Sequence, residues 1–105
     1  MIQLNIGLNN NPYSFEQCSR ILNLMFLAES RLGQSQWGEA VEPTVVSKIT
    51  ENWELSDITI MVERLCVTLE KDAIAIKVNE VGYLVYNPSY VGERYSYNEE
   101  YFINY

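Results

Sequence analysis

The spacing of apolar residues changes along this chain, from every second residue to every third or fourth and back. This change constrains the possible folds more than any other feature of the sequence. Ile2, Leu4 and Ile6 alternate with polar residues, a pattern that predicts a strand with one buried face. The apolar residues from Phe15 to Ala28 then recur at helical spacing. A chain that alternates the two periods is expected to fold as packed layers of sheet and helix.

The first helix is predicted to begin at Ser14, because Gln17 three residues later completes a capping box. In this motif the serine oxygen accepts from the Gln17 backbone, and the glutamine side chain reaches back to the serine N–H. Gly33 is predicted to end the helix after Leu32. Residues 33–43 are then predicted to form a turn-rich connection.

The rest of the chain repeats the alternation. The β-branched residues of 44–50 predict a second strand, and Ser56 or Asp57 is predicted to cap a second helix with an apolar stripe over 58–69. Residues 73–86 predict a β-hairpin. The expected fold is α+β, a two-layer α/β sandwich in the order β-α-β-α-β-β. About four strands would form a mixed sheet with both helices on one face.

We expect residues 1–105 to form a single domain in the cytoplasm. A chain of 105 residues buries roughly two thirds of its unfolded surface, enough for a core without metals or disulfides. No apolar run approaches the roughly 20 residues that span a bilayer. The first residues show neither the basic segment nor the cleavage site of a secretory signal.

The chain lacks histidine, and this removes most hydrolase and metal chemistry. A nucleophile paired with a histidine base cannot form, and two cysteines without histidine cannot build a Cys/His zinc site. Cys18 and Cys66 lie among apolar residues of the predicted helices, which favours reduced core thiols over a disulfide. We therefore expect no enzyme, no bound metal and no cofactor. The alternative, an enzyme, would require carboxylate or lysine chemistry, for which the sequence shows no motif.

The charge balance is strongly acidic, with 14 acidic and 7 basic residues and a net charge of −7. This charge repels nucleic-acid phosphates and anionic membranes, and the arginines and lysines are scattered singly. We expect no direct contact with nucleic acid or membrane. The charge instead favours a protein partner with a basic surface, including one that itself holds nucleic acid.

Seven of the eight tyrosines lie within the last 23 residues. Residues 87–105, NPSYVGERYSYNEEYFINY, combine five of them with acids, serine, asparagine and glycine, a mixture common in binding surfaces. One interpretation is structural, with the segment adding an edge strand or lying across the domain. The other is a surface for a basic partner protein or a second copy of the chain. Its candidate contacts are Tyr90, Glu93, Tyr95, Tyr97, Glu99, Glu100 and Tyr101.

The loop after the first predicted strand is a second candidate site. It leads into a helix, where free backbone N–H groups can hold a ligand. The side chains available to a small ligand there are Asn9, Asn10, Asn11 and Tyr13. The corresponding function would be an oligomer that binds or sequesters a nucleotide signal. A phosphate ligand would need local positive charge, for which Arg20 and Arg94 are the candidates. Turn formation before a helix cap is the alternative interpretation.

Taken together, the compact α/β pattern, the acidic charge and the end GERYSYNEEYFINY resemble the small accessory proteins of tailed bacteriophages, including anti-CRISPR-like inhibitors of bacterial defence. The resemblance covers all 105 residues. It implies a protein that acts by occupancy in the host cytoplasm, where it blocks a nucleic-acid groove, wedges a subunit interface or sequesters a signalling nucleotide. We therefore expect a non-enzymatic inhibitor that occupies a basic surface of a host defence protein.

Overall fold

The computed structural model describes residues 1–9, 11–37 and 40–97. Within these ranges the chain forms five strands and two helices in the order β-α-β-β-α-β-β, so the α+β class is confirmed. The elements are β1 (Ile2–Gly7), α1 (Phe15–Met25), β2 (Ala28–Trp37), β3 (Ala40–Ile49), α2 (Leu55–Leu69), β4 (Ala73–Val78) and β5 (Val81–Tyr86). The predicted first strand and the predicted hairpin β4–β5 are both present.

The five strands form one open sheet in the order β2-β3-β1-β4-β5, and every neighbouring pair is antiparallel. The prediction of a mixed sheet of about four strands is therefore wrong. Each β-α-β crossover skips one place in the sheet. Strands β1 and β2 run in the same direction with β3 between them, and β3 and β4 are likewise separated by β1. Strands of equal direction thus never become neighbours.

The first helix starts as predicted but ends early. Ser14 Oγ accepts from the Gln17 backbone at 3.2 Å, and Gln17 Oε1 accepts from the Ser14 N–H at 2.8 Å. The helix ends at Met25, and Gly33 lies inside β2, a strand that the sequence did not predict. Because β2 pairs with β3 along its whole length, this tertiary contact outweighs the helix propensity of residues 28–32.

The predicted connection 33–43 instead belongs largely to the two strands β2 and β3. Pro43 lies inside β3, although proline lacks the N–H that a ladder requires. It is tolerated because β1 ends with Gly7 opposite Thr44, so Pro43 has a paired strand on one side only. On the other side its carbonyl accepts from the Leu8 N–H at 2.9 Å, a bond that needs no donor from proline.

The second helix begins slightly earlier than predicted. Its N-cap is Glu54, which makes no side-chain capping hydrogen bond, so the predicted cap at Ser56 or Asp57 is wrong. Asp57 lies in the first turn, where a carboxylate is favourable near the positive end of the helix dipole. Glu70 ends the helix in a left-handed conformation with φ of 56° and turns the chain toward β4. Neither helix of the described residues is long and apolar enough to cross a membrane.

The core lies against one face of the sheet and combines alternate strand residues with the buried stripes of both helices. Helix α1 contacts β2 and β3, and α2 contacts β4 and β5. The fully buried residues of this core include Leu4, Ile6, Leu22, Val45, Ile58, Leu65, Ile74 and Ile76. Cys18 and Cys66 are buried in the same core as free thiols, so the prediction of two reduced cysteines is confirmed.

The opposite face of the sheet carries the side chains that alternate with the core residues. Near its centre the buried Gln3 and Asn5 are joined by a hydrogen bond of 3.1 Å from Nε2 to Oδ1. Ala75, paired with Asn5, is fully buried and packs against the ring of Tyr97. Residues 87–97 therefore leave β5 and return across this face, one of the two courses that the sequence allowed.

Candidate functional site: a cavity lined by tyrosines

A cavity of about 230 Å³ lies on the opposite face, where the end of β1, the start of β4 and the end of β5 meet residues 87–97. We term it the tyrosine cavity. Its lining residues are Gly7, Glu42, Lys71, Asp72, Ala73, Leu84, Tyr86, Tyr90 and Tyr95. Three phenol rings, two carboxylates and one ammonium group thus converge on one space.

Tyr86, the last residue of β5, is the centre of the aromatic contacts. Its ring stacks on Tyr90 with centroids 5.1 Å apart and planes 29° from parallel. The guanidinium carbon of Arg94 lies over the Tyr86 ring, 5.3 Å from its centroid. The Tyr86 hydroxyl oxygen accepts a hydrogen bond from the Tyr95 backbone N at 2.6 Å. One side chain therefore holds three residues of the following segment in place.

A tight turn at Asn87 connects this segment to the loop between α2 and β4. The Asn87 N–H donates to the Asp72 carbonyl at 2.8 Å, and its side-chain amide donates to the Lys71 carbonyl at 3.2 Å. The Asn87 Oδ1 accepts from the N–H and hydroxyl of Ser89, and its carbonyl accepts from the Tyr90 N–H. These bonds bring Lys71 and Asp72 to the same space as the tyrosine rings.

Glu93 joins two tyrosine hydroxyls at the rim of the cavity. The Tyr95 hydroxyl donates to Glu93 Oε2 at 3.2 Å, and the Tyr90 hydroxyl donates to the Glu93 carbonyl at 3.1 Å. The hydrogen bond to the carboxylate, together with its negative charge, raises the pKa of Tyr95 above its ordinary value. Tyr95 is 60% exposed, so this part of the rim is open to solvent.

Glu42 on β3 forms the acidic wall of the cavity. Its Oε2 accepts from the Asn9 backbone N–H at 3.0 Å. Its carboxylate also occupies the space that a Cβ at Gly7 would need, so this close approach depends on glycine. Glu42 is half-buried and Asp72 is exposed. With Lys71 as the one base in the lining, the cavity carries an excess of one negative charge.

Four of the seven predicted partner-binding residues lie in the described part of the chain. Tyr90 and Tyr95 line the cavity, and Glu93 lies beside them. Tyr97 is half-buried on the sheet, farther along the opposite face. The other three, Glu99, Glu100 and Tyr101, lie outside the described residues.

The predicted loop site after β1 is built from local turn contacts. Asn11 Oδ1 accepts from the Tyr13 N–H at 3.3 Å, and its amide nitrogen lies 3.8 Å from Cys18 Sγ. Tyr13 is half-buried and packs against the core, and Asn9 contributes its backbone N–H to the Glu42 contact. These contacts fit the turn interpretation. Asn10 lies outside the described residues.

Among the charged and aromatic residues of the cavity, sequence reasoning missed four: Glu42, Lys71, Asp72 and Tyr86. The sequence places Glu42 in a connection because it predicts that the strand starts after Pro43. Lys71 and Asp72 lie between a helix and a strand, where single charges are usually solvated. The available signal was the hairpin 73–86, since its register places the residues before its first strand beside those after its second.

Groups of three or more acids or cysteines able to hold a metal ion do not occur in residues 1–9, 11–37 and 40–97. No protein-family model, curated protein or solved structure matches the chain.

Proposed function

We propose that this protein is a non-enzymatic binding protein that holds a basic segment of another protein against the tyrosine cavity and its rim. The observation that carries the proposal is the convergence of Tyr86, Tyr90 and Tyr95 with two carboxylates on one space. Tyrosine rings supply large contact area at small cost in conformational entropy. Carboxylates around such rings steer a basic partner and fix its orientation.

Charge supports a basic partner at this surface. The whole chain carries a net charge of −7, which attracts positively charged surfaces over long range and repels phosphate groups. Locally, Glu42, Asp72 and Glu93 outnumber Lys71 and Arg94. Because charges at a rim act mainly on the association rate, we expect association to slow as salt is added.

The size of the cavity favours a protein side chain over a nucleotide as its ligand. Pockets for drug-sized ligands usually enclose about 300–1,000 Å³, whereas the tyrosine cavity encloses about 230 Å³. Its two carboxylates would also repel a phosphate. Both features favour a protein partner over the alternative function of sequestering a nucleotide signal.

The proposed mode of action is inhibition by occupancy. A defence protein that holds nucleic acid presents a basic groove, and the partner class implied by the phage resemblance is of this kind. Glu42, Asp72 and Glu93 would take the place of the phosphates along that groove, while the tyrosines would supply the contact area. Bound protein would then exclude the nucleic acid without any chemical step.

Photocrosslinking tests the surface directly. A benzophenone amino acid placed at Tyr95, in the full chain, is expected to crosslink a protein from a bacterial lysate, with lower yield as salt is added. The same group at Leu24, an exposed residue of α1, is the matched control and is expected to give no such product. Equal crosslinking at both residues would contradict the proposal.

The captured protein then allows a quantitative test. Tyr95→Ala with Glu93→Gln is expected to weaken its binding about tenfold or more, as for hot-spot residues. Leu24→Ala with Glu16→Gln changes the same number of carboxylates on α1 and is expected to leave binding unchanged. Nucleic acid bound by the partner is expected to compete with this protein. Simultaneous binding of both would rule out inhibition by occupancy.

A further inference from the structure

We infer that the tyrosine cavity is an anchor pocket for one arginine side chain of the partner. The inference rests on the proposed function and adds the chemical group that the cavity takes. Arginine combines a flat guanidinium, which stacks on aromatic rings, with a fork of N–H donors that matches a carboxylate. The cavity presents both kinds of surface within about 230 Å³.

The aromatic wall already accommodates a guanidinium of the same chain. Arg94 lies over Tyr86, with its guanidinium carbon 5.3 Å from the ring centroid. That distance is within the range of about 6 Å over which a cation is attracted to an aromatic face. The Tyr86 ring thus holds a guanidinium at the rim of the cavity. Arg94 itself is exposed and lies outside the cavity lining, so it leaves the cavity open. Tyr90 and Tyr95 extend the aromatic surface into the lining.

The carboxylate of Glu42 is held in place before any ligand arrives. The Asn9 N–H binds its Oε2 at 3.0 Å, and the absent side chain of Gly7 lets the carboxylate lie close to the backbone. A carboxylate fixed in this way loses little freedom when a guanidinium fork binds it. Asp72 provides a second carboxylate in the same lining.

The charge count of the lining favours one monovalent cation. Glu42 and Asp72 together against Lys71 leave a single uncompensated negative charge. One arginine balances that charge, whereas a phosphate would add to it and a divalent cation would reverse it. The neutral wall of Ala73 and Leu84 suits the aliphatic stem of the same side chain.

Titration with small arginine analogues, followed by amide NMR of the intact chain, tests the inference. N-acetyl-arginine amide is expected to cause saturable shifts at Ala73 and Tyr86. N-acetyl-citrulline amide has the same shape without the charge and is expected to bind about tenfold or more weakly, because hydrogen bonds to charged groups contribute most. The lysine analogue is expected to bind with intermediate affinity, since it lacks the planar fork. Equal binding of arginine and citrulline, or shifts away from the cavity, would overturn the inference.

Single replacements identify the carboxylate that is responsible. Glu42→Gln keeps an oxygen for the Asn9 N–H and is expected to weaken binding of the arginine analogue about fivefold to tenfold. Glu16→Gln on α1 removes one charge away from the cavity and is expected to change nothing. Asp72→Asn, at an exposed residue, gives a second reading if Glu42→Gln alters the fold. Unchanged affinity in both cavity variants would contradict the anchor.

The two proposals can fail separately. If the arginine analogue does not bind while crosslinking at Tyr95 persists and weakens with salt, the anchor is wrong and the binding function stands. If the analogue binds in the cavity but Tyr95 and Leu24 crosslink equally, the cavity takes arginine and the proposed partner surface is wrong.

Discussion

The ring of Tyr97 occupies the space in which a side chain at Gly82 would lie. Gly82 pairs with Lys77 near the end of the hairpin β4–β5, and Tyr97 packs against Ala75 on the same face. A glycine inside a strand here permits the close approach of an aromatic ring. This contact determines where residues 87–97 cross the sheet.

The variant Gly82→Ala is therefore expected to displace Tyr97 and to lower the free energy of unfolding by about 1–3 kcal/mol. Urea denaturation measures this loss. In the background of Tyr97→Ala the space is empty, so the same glycine replacement is expected to cost much less. Additive losses in the double variant would show that the ring and the glycine do not interact.

The hydrogen bond from the Tyr95 N–H to the Tyr86 hydroxyl gives a second prediction. Tyr86→Phe keeps the stacking on Tyr90 and removes the acceptor, so we expect a loss of about 1 kcal/mol and faster hydrogen exchange at the Tyr95 amide. Tyr83→Phe is the matched control, because Tyr83 packs against the core instead of holding this segment. Equal exchange rates at Tyr95 in the two variants would contradict the assigned bond.

The sequence predicted those elements whose local signal agrees with the final pairing. The period of two in β1, the capping box at Ser14 and the hairpin β4–β5 are each recognisable from neighbouring residues alone. Strand β2 was missed because residues 28–32 favour a helix, and only the pairing with β3 makes them extended. The all-antiparallel sheet was also missed, because the order of strands depends on contacts between residues distant in sequence.

The candidate site also contains residues that the sequence predicted and residues that only the structure brings together. Tyr90, Glu93 and Tyr95 were predicted from composition, because they lie in one tyrosine-rich segment. Glu42 and Asp72 come from two other parts of the chain and meet them only through the sheet order. The spacing of these residues in the sequence does not predict that they lie close together. The acidic residues of the cavity could therefore be identified only from the structure.

The two helix starts give a third prediction. Ser14→Ala removes the capping acceptor of α1 and is expected to cost about 1 kcal/mol of unfolding free energy. Ser56→Ala is expected to change it by less than about 0.5 kcal/mol, because α2 is capped at Glu54 without a side-chain bond. Thermal unfolding of both variants compares them. A larger loss from Ser56→Ala would restore the cap predicted from the sequence.

The buried thiols give a prediction about reactivity. Burial, assisted by the charge of Glu63, raises the pKa of Cys66 to about 12, and burial also raises the pKa of Cys18. Since the thiolate is the reactive form, both cysteines are expected to resist iodoacetamide at mildly alkaline pH until the protein unfolds. Ionisation favours the unfolded chain, so stability is expected to fall as the pH rises above the ordinary thiol pKa. Mass spectrometry of alkylation with and without urea measures the reactivity, and rapid native labelling of Cys66 would contradict its burial.

The contact between Tyr95 and Glu93 gives the last prediction. The carboxylate accepts the phenol hydrogen at 3.2 Å, and its charge opposes formation of the tyrosinate, so the pKa of Tyr95 is raised. Glu93→Gln removes that charge and is expected to lower the pKa of Tyr95 toward its ordinary value. Carbon-13 NMR of labelled tyrosine rings across alkaline pH measures this pKa from the signal of the Tyr95 ring. Glu80→Gln, at an exposed acid in the turn between β4 and β5, is expected to leave it unchanged. An equal shift in both variants would mean that the overall charge acts on Tyr95 and that the rim contact with Glu93 is absent in solution.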